Sequence, residues 1–307
     1  MIVNKASVRA AETSFRKIYT DALHGGQKMA MWPRWCQQVS TSAGTVDYSW
    51  MAAIPGMREL QGEARKHSLE LVNWQVNNAE WENTIAVKEA DLERDQLGLY
   101  ADRFRMQGEV AAQHPDQLLA ALMLDAFSTK DYTGTNFFAT GKKHFPSAKA
   151  TFSNLLTDQL FAASFRTARQ TLKTQKITFP DGSVRQLNLG RNLTLIVSPA
   201  NESTAREILT AERNAAGATN VDRGTANLEV WGELGDSPKW FLLDEGFAAK
   251  PFVYQIEKAP NVVGVTDPED SHVVKYHEFL FQAYGRYQVG LFLPQLIVGS
   301  TGVDAES

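Results

Sequence analysis

Cysteine is almost absent: Cys36 stands alone in 307 residues, which excludes an internal disulfide and any multi-cysteine metal cluster and suits a reducing compartment. Long hydrophobic runs are missing as well. The most apolar stretch, Leu291-Phe-Leu-Pro-Gln-Leu-Ile-Val298, is broken by Pro294 and Gln295. It falls far short of the ~20 residues that cross a bilayer, so no membrane partner is expected. Lys5 and Arg9 interrupt the stretch that a secretory signal would keep apolar, and cytosolic synthesis is the expectation. An excess of positive charge is lacking too. Lys and Arg number 31 against 35 Asp and Glu, a formal charge of -4, which argues against a broad basic face for nucleic acid and leaves only local contact. Repeats and low-complexity tracts do not occur. What is present is a chain 43% hydrophobic and 21% charged, enough apolar matter for a core of one large or two ordinary domains.

Chemical motifs are mostly missing. Gly134-Thr-Asn-Phe-Phe-Ala-Thr-Gly141-Lys142-Lys143 has too long a glycine spacing for a phosphate-binding loop, and Lys143 stands where a hydroxyl is needed. Gly235-Asp236-Ser237 resembles a hydrolase nucleophile block, yet Pro238 follows it and no Asp-x-x-His lies toward the C-terminus; Asp21-Ala-Leu-His24 has that spacing at the wrong end. A β-turn explains it better, and a serine hydrolase using Ser237 is kept only as the alternative function. The six histidines never fall in a metal-ligand spacing, and Asp267-Pro-Glu-Asp270 lacks the twelve-residue calcium loop. No catalytic, cofactor or metal site is assigned.

The organisation is clearer. Residues 1–23 read as an amphipathic helix with Val8, Phe15, Ile18 and Tyr19 on one stripe and Lys5, Arg9, Arg16 and Lys17 facing away, ended by Gly25-Gly26. Six basic residues oppose two acidic ones in the first 35, a net +4, so this face points to a polyanion or an acidic partner. Residues 27–56, with Trp32, Trp35 and Trp50, show no period and predict an extended arm whose indoles need a covering surface, such as another subunit.

Residues 66–88 predict a long hairpin. Leu69, Leu71, Val72, Trp74 and Val76 form one strand, Trp81, Ile85 and Val87 the other, with Asn77-Asn78 as the turn. Two strands alone are marginal in water, so Leu69, Leu71, Trp74, Val76, Trp81, Ile85 and Val87 are the predicted subunit-interface residues. An acidic joint, Glu89 to Asp95, leads into a helix from about Leu97. Pro115 must kink or restart it, and Leu119, Leu122 and Ala126 should face the core. After a loop at 128–151 come a helix from Ser153 or Asn154 to about Thr174, strands at 176–179, 184–188 and 193–197, and a helix at 201–212. Strands at 228–231, 240–243, 252–257, 272–284 and 287–298 complete the chain. Helices and strands are segregated, so the fold class is α+β.

Four short motifs carry a resemblance: Ile54-Pro-Gly-Met-Arg-Glu59, Ile85-Ala-Val-Lys-Glu-Ala-Asp-Leu-Glu-Arg-Asp-Gln96, Gly98-Leu-Tyr100 and Ala111-Ala-Gln-His-Pro-Asp-Gln-Leu118. In this order the chain resembles the Mu-like phage major head subunits, the gpT family, most strongly over 27–145 and again toward Tyr284 to Ser300. That resemblance implies a Hong Kong ninety-seven-type major capsid fold. Its parts would be an N-terminal arm (1–55), an extended hairpin loop (56–95), a peripheral domain with a spine helix (96–175), an axial domain (176–270) and return strands (271–307). It further implies hexamers and pentamers tiling an icosahedral head around double-stranded DNA, assembled in a bacterial host cytoplasm. A scaffold protein, a portal and decoration proteins would be the partners, and the basic face of Lys5, Arg9, Arg16 and Lys17 would be turned to the lumen. Some relatives of this fold join a hairpin Lys to an Asn of the next subunit. Lys66 is the available donor, but no acceptor or acidic catalyst can be matched, so single chains without cross-links are expected.

Overall fold

The computed structural model describes residues 5–48, 74–94, 97–144, 151–178, 184–213 and 217–303. Leu69, Leu71, Lys66, Trp50, the motif at 54–59 and the turn at 180–182 lie outside them.

Apolar positions three and four apart make α1 (Lys5–Gln27), which buries Val8, Ala11, Phe15, Tyr19 and Leu23. The helix does not stop at Gly25-Gly26, as expected, but runs through both. The reason is its partner. After α2 (Trp32–Trp35), β1 (Cys36–Ser40), β2 (Thr45–Asp47), β3 (Gln75–Asn77), β4 (Ala79–Lys88) and α3 (Glu89–Glu93), the chain forms α4, Leu97–Asp125. A Cβ on Gly26 would stand 2.6 Å from Ala112 Cβ, and one on Gly108 only 2.5 Å from the Tyr19 carbonyl oxygen. These glycines therefore serve close helix approach, not a helix end.

Pro115 neither ends α4 nor starts a second helix; all 29 residues form one element. A helix-interior proline costs ~3 kcal/mol, offset here by burial on both sides of it, since Phe104 and Ala112 before it and Leu119, Ala120 and Met123 after it are all buried. Leu119 and Ala126 are fully buried and Leu122 is partly buried against the same cluster, which matches the expected core face.

The rest comprises β5 (Lys142–Lys143), β6 (Thr151–Phe152), β7 (Leu155–Leu156), α5 (Ala162–Lys173), β8 (Lys176–Thr178), β9 (Val184–Gln186), β10 (Leu193–Val197) and α6 (Glu202–Thr210). It continues through β11 (Asn227–Val230), β12 (Trp240–Asp244), β13 (Phe252–Val265), α7 (Ser271–Tyr276), β14 (Glu278–Leu291) and β15 (Ile297–Ser300). Two expectations are corrected here. The helix predicted from residue 153 starts only at Ala162, because Leu155 and Leu156 pair with β15. The Asn154 amide is also committed, donating to the Phe137 and Pro294 carbonyls at 3.1 and 2.9 Å. The strand predicted from His272 is instead α7 up to Tyr276. Asp270 caps this helix by accepting the His272 amide at 2.8 Å, and His277 closes it in the left-handed region.

Among the described residues two larger sheets form, the first in the order β1-β13-β14-β4 and the second β11-β10-β12-β15-β7, beside the two-stranded pairs β2-β3, β5-β6 and β8-β9. The first gathers β13 and β14 as a long antiparallel pair. Its buried row, Phe279, Phe281, Ala283, Tyr287, Val289 and Leu291, lies under the helices. Phe15 stacks on Phe104 with centroids 4.2 Å apart, and both meet Phe281 edge-on at 5.4 and 5.3 Å. The Trp32 and Trp35 indoles do not await another subunit: they are 6% and 0% exposed and pack within this chain. Lys239, just before β12, donates to the Leu124 carbonyl at 2.7 Å and lies 4.8 Å over the Phe127 ring. It thereby ties the C-terminal turn of α4 to the second sheet.

The seam between α1 and α4 makes a paired prediction. Gly108→Val should cost the unassembled chain more than ~3 kcal/mol, the scale of severe overpacking. Gly25→Ala, where a Cβ meets nothing within 4 Å, should add ~0.5–1 kcal/mol through helix propensity. Urea unfolding of both variants checks this.

Candidate assembly interface

Among the described residues, 74–77 and 79–88 do not pair with each other as the predicted hairpin requires. β3 pairs with β2, Thr45 opposite Asn77, and β4 pairs with β14 from Ala79–Tyr287 through Lys88–Glu278. Partners within this chain thus supply the support that two strands alone would lack. Val76 is 5% exposed and Val87 fully buried. A Cβ on Gly290 would lie 2.5 Å from Val76 Cγ2, so β3 rests directly on β14. Ile85 is half-buried against the helix cluster. The half-buried indoles of Trp74 and Trp81 donate to the Leu291 and Tyr287 carbonyls at 3.1 and 3.0 Å, and the Trp81 ring centroid is 4.4 Å from that of His114.

The surface left over differs from the one expected. No strand pairs with the outer edge of β4 among the described residues, which leaves a row of backbone groups open to a partner. On α4, Leu99, Met106 and Val110 are 69, 63 and 49% exposed, and Met29 is 80% exposed. The sequence carries a signal for this stripe, since positions 99, 106 and 110 share one helix face. Lys5, Arg9, Arg16 and Lys17 all lie exposed on α1. Lys5 pairs with Asp267 and Arg16 with Glu12, each at 2.8 Å, so part of the basic face is neutralised locally.

Candidate chemistry is spent on structure. Lys142, in the stretch compared with a phosphate-binding loop, is fully buried in an ion pair with Asp131 and also donates to the Asn136 and Phe137 carbonyls. Burial outweighs the attraction for both partners, pushing Lys142 down to about 8 and Asp131 up. Ser237 Oγ accepts the Lys239 amide at 3.3 Å, its carbonyl accepts the Ser198 hydroxyl, and Gly235 turns with φ 59°. Among the described residues no histidine or carboxylate bonds Ser237, so the block is a turn. Asp267 and Asp270 are used by Lys5 and by α7, and among the described residues no cluster of three or more His, Cys, Asp and Glu is placed to hold a metal. Burial, with Asp116 nearby, raises the Cys36 thiol well above its ordinary value and leaves it unreactive.

This arrangement is that of a phage capsid subunit. The chain aligns with a chain of the procapsid of bacteriophage JBD30 at a TM-score of 0.64 and 22% identity, covering 99% of this chain and 77% of that one. It aligns with the virus-like particle from Pyrococcus furiosus at 0.52 and 10%, covering 93 and 97%. The fold is therefore α+β of the Hong Kong ninety-seven type. Residues 8–165, 151–234 and 230–305 match the Mu-like prophage major head subunit gpT, and the chain belongs to that family. It is 25% identical over 302 residues to the major capsid protein of Escherichia phage Mu, covering 98% of this chain and 76% of the relative. With the Mu-like prophage FluMu major head subunit of Haemophilus influenzae it shares 21% over 283 residues, covering 92 and 69%. It is thus a major capsid protein, a structural subunit of a capsid lattice and not an enzyme.

His144, 2% exposed and stacked on Phe152 with centroids 4.7 Å apart, makes the subunit acid-sensitive. Burial lowers its pKa to about 4, while an unfolded histidine takes its proton near ~6.5. Between these values the unfolded chain binds more protons, so stability is full above pH 6.5 and falls as pH drops toward 4, by ~3 kcal/mol from this residue. His144→Phe should flatten that part of the profile in unfolding titrations of the unassembled chain at pH 7 to 4.5.

Proposed function

We infer that this subunit associates as hexamers and pentamers into an icosahedral head that encloses double-stranded DNA, assembled in the cytoplasm of a bacterial host. What carries this reading is the family match running from residue 8 to residue 305. Its corollary is an outward surface that offers an open strand edge and an apolar helix stripe to a partner. A scaffold protein and a portal are the partners that closure of such a shell requires, and decoration proteins would occupy its outside. In this reading residues 1–55, 56–95, 96–175, 176–270 and 271–307 serve as arm, extended loop, peripheral domain, axial domain and return strands. Leu69, Leu71, Trp74, Val76, Trp81, Ile85 and Val87 lie in the segment that neighbouring subunits cover, Val76 and Val87 acting from beneath by fixing the strands. The exposed basic face of α1 is turned to the lumen, where Lys5, Arg9, Arg16 and Lys17 meet DNA or an acidic scaffold through salt-sensitive attraction. No cross-link joins the chains.

Co-expression with a scaffold and electron microscopy test this reading. Closed shells that dissolve into single chains in denaturing gels are expected. Replacing Lys5, Arg9, Arg16 and Lys17 by Gln should keep the fold but lower DNA retention or scaffold binding and weaken their salt dependence. Amorphous aggregates or monodisperse monomers with scaffold present would refute shell formation, and unchanged salt dependence would refute the lumenal role of α1.

A further inference from the structure

Gln255 is a polar residue on an inner strand. It stands on β13, between β1 and β14, and is 0% exposed. A buried amide is costly unless its polar atoms find partners, and this one makes three bonds. Its Oε1 accepts the Tyr48 hydroxyl at 2.9 Å. Its Nε2 donates to the Val76 carbonyl at 3.1 Å and to Asn78 Oδ1 at 2.9 Å. A carbonyl only accepts, so the amide has one orientation. Asn78 is oriented in the same way, because its Nδ2 donates to the Ala43 carbonyl at 3.4 Å.

These partners belong to both strands of the small β2-β3 pair. Tyr48 directly follows β2, Val76 lies within β3, and Asn78 directly follows it. Other contacts hold the pair down with less say in its place along the sheet. Val76 and Val253 meet above Gly290, where a Cβ would lie 2.5 and 3.1 Å from them, and apolar contact has no direction. The Trp74 indole adds one bond, to the Leu291 carbonyl. Sliding the pair by one residue, ~3.4 Å, would break all three Gln255 bonds together, since hydrogen bonds fail within a fraction of that distance.

The place matters because of what is rooted there. The Tyr48 amide donates to the Trp74 carbonyl at 2.8 Å, so residues 49–73 leave and return at one point of this pair. Most of them fall in the extended loop of the shell reading.

We propose that Gln255 is a positioning residue for assembly: its amide admits one seating of the β2-β3 pair on β13 and thereby fixes the root of residues 49–73. The link to assembly rests on the shell reading above; the seating does not. Methyl NMR of the unassembled chain, labelled at valine, reads the seating through Val76. One set of Val76 methyl signals, with cross-peaks to Val253, is expected for the wild type. In Gln255→Leu, which keeps the bulk and loses all three bonds, a second set should appear at roughly a tenth of the intensity or more. Tyr48→Phe removes one bond only and should show a weaker second set, so the test stands even if Gln255→Leu cannot fold. Val253→Ala loosens the same contact without touching a hydrogen bond; it should lower the unfolding midpoint and keep one set. With scaffold, electron microscopy should show closed shells for the wild type and Val253→Ala and their loss in Gln255→Leu.

A single Val76 set in both Gln255→Leu and Tyr48→Phe, or doubled signals in Val253→Ala as well, would overturn the seating role. Doubled signals in variants whose shells close as readily as wild type would overturn its link to assembly. Wild-type chain with one Val76 set but no shell with scaffold would refute the shell reading, and that link with it, while the seating role stands.

Discussion

Two helices touch backbone to backbone, and the rest of the subunit is built on that contact. At Gly108 the space between α4 and the Tyr19 carbonyl admits no Cβ, and at Gly26 the same is true against Ala112. Because the axes approach so closely, Phe15 and Phe104 stack as one unit and close over Phe281 of β14. The register of β14 in turn fixes β13 on one side and β4 on the other. Farther along α4 the Asp116 carboxylate accepts the Met31 and Trp32 amides, at 2.9 and 2.7 Å in its shortest contacts. That bond turns the chain from the end of α1 into α2 and β1. Lys239 fastens the opposite end. A shift of α4 would therefore be felt in both sheets, which suits a subunit that must keep its shape while its neighbours pull on it.

Polar groups that invite a catalytic reading are instead spent on ordering loops. The Lys142–Asp131 pair, with both side chains wholly buried, gains little net stability, because desolvation offsets much of the attraction. It fixes one geometry for the segment after α4, and breaking only one partner would leave an unpaired buried charge. Asp244 does related work at the end of β12, its carboxylate accepting the Arg191, Asn192 and Gly246 amides at 3.2, 3.3 and 2.7 Å. Arg34 bridges Glu229 and Glu245 at 2.5 and 2.8 Å, and the Trp35 indole shares the Glu245 oxygen at 2.8 Å. The N-terminal segment is pinned to the second sheet through charges whose sequence positions lie some two hundred residues apart.

Much of this was legible in the sequence and some was not, for local reasons. The stripe of α1 and the inward face of α4 at Leu119 and Ala126 follow from periodicity, and the strands expected at 193–197 and 240–243 from short apolar runs buried on both faces. The four motifs from 54 to 118 carried the family. Gly25-Gly26 misled because a glycine pair reads as a stop unless the facing helix is known. Alternation at 74–76 and 81–87 correctly marked strands, but period two names no partner, and the Asn77-Asn78 pair made the nearest one look right. Trp32 and Trp35 appeared to need another subunit because nothing in their own neighbourhood hints at Tyr254, 4.4 Å from Trp32, or at Trp231, 5.1 Å from Trp35. The Asp270 cap was a readable signal for α7 that the alternation beyond it obscured.

β4 belongs to the subunit's own sheet before any neighbour arrives. Hydrogen exchange on the unassembled chain tests it most directly, at the β4 amides that bond β14 between Ala79 and Lys88. Protection of these amides comparable to that of the α4 amides around Phe104, in chain that has never formed a shell, is the predicted result. Exchange at unprotected rates until assembly, with α4 already protected, would contradict it and return the strand to the role of an element that folds only on its neighbour.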